Sequence, residues 1–80
     1  MQVSQATHRI KDLPVIQNPE IVSGVPVFEN TRVPVSALFD YLEDDYTLDE
    51  FLESFPSVSR VQALKVLHFG RHRLEEELGV

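Results

Sequence analysis

The chain has 80 residues, a net charge of −6, 42% hydrophobic and 25% charged side chains, and no cysteine. That size allows one domain with a single small core, and the missing thiols exclude a disulfide scaffold, thiol catalysis and cysteine-ligated zinc. The acidic balance argues against a non-specific polyanion binder, and no apolar run approaches the ~18 residues of a membrane span.

Residues 1–12 are polar and without a period, which predicts an N-terminal arm, although the alternation from His8 to Leu13 also fits a short strand. No continuous apolar segment marks a signal peptide, so a cytoplasmic protein is expected. The single domain is expected over residues 13–80. It begins with a short strand at Val15-Ile16, a turn at Gln17-Asn18-Pro19-Glu20, and Ile21-Val22-Ser23-Gly24 leading into a hairpin.

That hairpin is the most patterned stretch of the chain. Two β-rich runs, Val25–Phe28 and Thr31–Val33, flank Glu29-Asn30, and Asn30 tolerates the positive φ of a two-residue turn. Pro34 has no N–H to give a ladder, and its ring suits the start of a helix. Arg32 is the only basic residue between Lys11 and Arg60. It is expected to pair with an acid such as Asp40 or Glu43 and so orient the hairpin against the first helix.

Three helices follow. The first is predicted over Val35–Glu43, with Val35, Leu38, Phe39 and Leu42 as one apolar stripe and Asp44-Asp45 ending it. The second begins at Thr47, where Thr47 and Glu50 make a capping box, carries Leu48, Phe51, Leu52 and Phe55, and stops at Pro56. The third opens with a second capping box, Ser59 and Gln62, and runs to about Glu77. Its broad apolar face is expected to hold Ala63, Leu64, Val66, Leu67, Gly70, Leu74 and Leu78. Val61 and Phe69 fall outside that face, and Phe69 is a candidate for a dimer or partner contact. The fold class is therefore mainly α: a trihelical helix-turn-helix-like domain preceded by a short β-hairpin.

Charge is segregated along the chain. Seven acids and no base lie between Val33 and Ser59, whereas Arg60, Lys65, Arg71 and Arg73 occupy 60–73 without an acid. A helix-turn-helix reading makes the third helix the recognition element, with Arg60 and Gln62 suited to base edges and Lys65 to phosphate. The bland alternative is a three-helix core that never meets nucleic acid. The acidic stretch, with Asp49, Glu50 and Glu53, is either a solvated face or a docking surface for a basic protein. His68 and His72 are spaced i, i+4 with Glu76 four further on, as metal ligands on a helix can be, but no further His lies nearby and a solvated polar face is the expectation. No metal, cofactor or catalytic residue is expected, since exposed acids on short helices make no cleft that would split the pKa values of a carboxylate pair.

Five segments, Asn18-Pro19-Glu20-Ile21, Gly24-Val25-Pro26-Val27, Asn30-Thr31-Arg32-Val33-Pro34-Val35, Phe55-Pro56-Ser57-Val58-Ser59-Arg60 and Gln62-Ala63-Leu64, resemble in order and spacing a small prokaryotic family, domain of unknown function 433. Asn30 stands where Gly usually precedes Thr-Arg, Asp44 or Asp45 where many members have Gly, and Val25 where Lys is frequent. The resemblance implies a helix-turn-helix-like domain, commonly a homodimer, acting as the VapB-like antitoxin of a toxin–antitoxin pair. The implied partners are a PIN-like ribonuclease toxin from a neighbouring gene and operator DNA. The runner-up expectation is a protein-interaction or scaffold module without DNA binding.

Overall fold

A computed structural model of the protein describes residues 8–9 and 12–79, with side chains from Asp12 onward. Three short strands, β1 (His8–Arg9), β2 (Val15–Gln17) and β3 (Val27–Phe28), form one antiparallel sheet in the order β1-β2-β3. Three helices follow: α1 (Val35–Glu43), α2 (Leu48–Ser54) and α3 (Arg60–Leu78). The arm expected over residues 1–12 lies mostly outside the described residues, and its described part supplies β1.

β2 pairs with β3 so that Val15 faces Phe28 and Ile16 faces Val27. The loop between them is built from turns. Asn18 Oδ1 accepts from the Glu20 N–H at 2.9 Å, an Asx turn at the expected site. Val22, Ser23 and Gly24 then all take positive φ, at 48°, 57° and 83°. Gly24 is the natural residue there, since L side chains rarely adopt a φ of 83°.

The turn at Glu29-Asn30 forms as expected, with Asn30 at φ 65° and the Thr31 N–H donating to the Phe28 carbonyl at 3.0 Å. Its return leg differs from expectation, because Thr31–Val33 is not a strand. Thr31 Oγ1 donates to the Phe28 carbonyl and accepts from the Val33 N–H, so side-chain bonds replace ladder bonds. Contact with β3 is kept by the Phe28 N–H donating to the Val33 carbonyl and by a single bridge between Val27 and Pro34. Pro34 then serves as the residue from which α1 departs, with φ −63°.

The core is an aromatic and aliphatic cluster in which Phe28, Leu38, Phe51 and Ala63 are completely buried, with Val15, Val58 and Val66 nearly so. Phe51 of α2 is its hub. Its ring lies 6.2 Å from Phe28, 5.6 Å from Tyr41 and 5.0 Å from Phe55, with an edge-on geometry to Tyr41. On α1 it is Leu38, flanked by Tyr41 and Leu42, that packs inward, whereas Phe39 is 38% exposed. Once Leu38 sets the phase, Phe39 lies 100° round the helix and turns to the rim instead.

Both capping boxes close reciprocally, Thr47 with Glu50 and Ser59 with Gln62. Asp45, between α1 and α2, adopts φ 70°, the left-handed conformation that Gly adopts without strain. Buried Val58 pins the turn between α2 and α3, where its N–H donates to the Phe55 carbonyl.

Candidate functional site

The residues expected to read DNA sit at the start of α3, and the fold engages two of the three. Gln62 has both ends of its amide occupied: Oε1 accepts from the Ser59 N–H at 2.9 Å, and Nε2 donates to the Glu29 carbonyl at 3.0 Å. The first bond belongs to the cap. The second reaches across the chain to the turn after β3 and fixes α3 against it. Gln62 is thus a clamp, and reading an adenine edge would require both bonds to break. Arg60, exposed at the helix tip, pairs with Asp49 at the start of α2. Lys65 is exposed, and among the described residues no ion pair or hydrogen bond holds its amine.

The residues expected to meet a partner are likewise divided. Asp49 holds Arg60, and the Glu50 carboxylate accepts the Thr47 N–H at 2.8 Å in the cap. Glu53 is exposed and uncommitted, as are Asp40, Glu43, Asp44 and Asp45. These five acids run along α1, the α1–α2 turn and α2 without a cation among the described residues to neutralise them. Arg32 does not do so. Between half-buried Thr31 and Val33 its side chain turns outward, and it forms no ion pair with Asp40 or Glu43. Asn30 and Pro34 hold the turn and the start of α1, as described above.

Phe69 is half-buried rather than displayed. It lines a groove of about 310 Å³ whose walls are Val15 on β2, Phe39 on α1, and Val66 and Gly70 on α3. Leu13 and Phe69 are shared with an adjoining hollow of about 480 Å³ that also meets Asp12, Lys65 and His68. The apolar groove thus has one polar mouth. Sequence periodicity placed Phe39 in the core and Phe69 outside it, and neither assignment revealed that the two rings border one groove. The signal was the excess of large apolar residues over what so small a core can enclose.

His72 lies 3.7 Å from Glu75, and among the described residues no three His, Asp or Glu side chains gather as metal ligands. None of the helices is long and apolar enough to cross a membrane, among the described residues.

A family model described as a protein of unknown function, DUF433, matches residues 15–69. No curated protein and no solved structure matches the chain. The matched span contains the sheet from β2 onward, α1, α2 and the first half of α3.

Proposed function

The chain belongs to the DUF433 family, and on that premise we propose that it is a non-catalytic, antitoxin-like binding protein that acts as a homodimer and whose principal partner is a basic protein. A PIN-like ribonuclease toxin, with a cationic substrate groove, is the partner that the family resemblance implies. The carrying observation is the contrast in commitment. The five acids Asp40, Glu43, Asp44, Asp45 and Glu53 are exposed and unpaired, whereas Arg60 forms a surface ion pair with Asp49 and Gln62 is held by hydrogen bonds at both ends of its amide. Unneutralised acids on adjoining elements repel one another, and a cationic surface relieves that repulsion on docking.

Capture of the neighbouring gene's nuclease by the triple variant Asp40→Lys, Glu43→Lys, Glu53→Lys tests this reading. It leaves the Asp49 pair and the Glu50 cap intact. Affinity should fall by at least about tenfold, chiefly through slower association at low salt. Unchanged capture would refute the acidic face as the docking surface.

DNA binding is the second reading, and one observation favours it: Lys65 is an exposed cation without an intramolecular partner near the start of α3. On this reading the helix meets phosphate rather than base edges, and specificity arises in the assembled dimer. Lys65→Ala should then weaken binding to the DNA upstream of the gene about equally across sequences and reduce the salt slope by about 1. If no binding appears at low salt, with or without the nuclease, the pure protein-interaction role stands.

A further inference from the structure

A ladder of aromatic rings runs from the core to the surface, and its last rung is open. Phe51 is fully buried at the inner end. Tyr41 packs edge-on against Phe51 and Phe55, with centroids 5.6 and 5.5 Å apart. Tyr46 lies 4.9 Å from Tyr41, tilted by 42°, and is 50% exposed. Tyr41 thus covers one side of the Tyr46 ring while half of the residue meets solvent, and among the described residues the Tyr46 hydroxyl has no hydrogen-bond partner. Shielding Tyr41 requires an apolar side chain at this position but not a second ring. The backbone also fixes the ring in place. Asp45 at φ 70° closes the turn after α1, the Tyr46 N–H donates to the Tyr41 carbonyl at 2.9 Å, and Thr47 is already the cap of α2. An aromatic held on both sides in this way presents its face to a partner at little entropic cost.

Asp44 and Asp45, exposed and unpaired among the described residues, directly precede Tyr46, so the open ring stands inside the acidic stretch. Carboxylates alone attract lysine and arginine alike. The ring discriminates between them. A planar guanidinium stacks flat on an aromatic face and still directs its N–H edge at a neighbouring carboxylate, whereas a compact, strongly hydrated ammonium has no flat face to lay on the ring. We infer that Tyr46 is a platform for an arginine side chain of the basic partner, the guanidinium stacking on the ring and pairing with Asp44 or Asp45. The inference rests on the acidic docking surface of the proposed function and names the side chain that this surface selects. It is independent of the homodimer.

Fluorescein-labelled hexa-arginine and hexa-lysine carry the same charge on different cationic groups. Titrated with the full chain at low salt and followed by anisotropy, hexa-arginine should bind about three- to fivefold more tightly. Tyr46→Leu, which still shields Tyr41, should lower the affinity for hexa-arginine to that for hexa-lysine and leave hexa-lysine unchanged, with the far-ultraviolet spectrum of the parent chain. Tyr46→Phe keeps the ring and should keep the preference. Equal affinities in the parent chain, or a preference for arginine that survives Tyr46→Leu, would overturn the platform while leaving the acidic face standing as a docking surface. Loss of the preference in Tyr46→Phe would overturn stacking as its cause. If neither peptide binds at low salt, the platform and the acidic face are overturned together, and the triple lysine variant should then capture the nuclease as well as the parent chain does.

Discussion

In the first half of α3, residues 60–69, the inward-facing side chains are held by other elements. Ala63 and Val66 are buried in the core, Gln62 bonds the turn after β3, and Arg60 pairs with α2. In the second half, residues 70–78, the helix holds itself. Arg71 and Arg73 pair with Glu75 and Glu77 one turn on, and the leucines face outward. One continuous helix of 19 residues thus contains a segment defined by tertiary packing and a segment defined by local charge pairs. Exposed pairs of this kind contribute only about 0.3–0.5 kcal/mol each, so helicity in the second half leans on continuity with the first. The difference shows that helical sequence pattern alone does not say which part of a helix belongs to the core.

The contrast breaks most clearly under matched charge insertion. Val66→Asp buries an unpaired carboxylate and should cost at least about 3 kcal/mol, enough to unfold so small a domain. Leu74→Asp, measured by urea denaturation at dilutions where the chain is monomeric, should change stability by no more than about 0.5 kcal/mol. Equal losses would place the second half inside the core. A smaller effect isolates the clamp. Gln62→Ala should cost about 1–2 kcal/mol, through the cap and the bond to Glu29 together. Gln62→Glu keeps the cap acceptor but has no proton for the Glu29 carbonyl, so the difference between the two variants measures the cap. The smallest effect has the opposite sign. Gly70→Ala should stabilise the chain by about 0.5–1 kcal/mol, since a Cβ there meets nothing within 4 Å. A destabilised monomer would reveal a contact at Gly70 from within the chain.

Much of this was legible from local sequence. Both capping boxes, the bounds of α1, the turn at Asn30 and the stop at Pro56 depend on residues within a few positions of one another. What escaped depends on residues far apart. Nothing near Gln62 signals a bond to Glu29, and nothing near Arg60 signals its pairing with Asp49. The Thr31–Val33 segment read as a strand because its residues favour β structure, but Thr31 satisfies the backbone with its own hydroxyl. The buried face of α3 is narrower than its periodicity for the same kind of reason. Periodicity counts Leu74 and Leu78 with Ala63 and Val66, yet the core ends before the helix does. Among the candidate site residues, identity was readable but availability was not: the surface pairing of Asp49 with Arg60 and the bond from Gln62 to Glu29 join elements far apart in the chain, which no spacing rule states.

The two bonds of Gln62 also have a consequence in time. The cap closes a ring of three residues, whereas the bond to Glu29 closes one of 33. Loop-closure entropy makes the larger ring about 2 kcal/mol harder to close, which predicts that the cap forms with the helix and the long tie later. Ser59→Ala, which removes the hydroxyl half of the cap, should therefore slow folding, while Gln62→Glu should leave the folding rate nearly unchanged and speed unfolding. A single side chain would then separate the start of α3 as a helix from its locking onto the sheet, and stopped-flow chevrons of the two variants would resolve the two events.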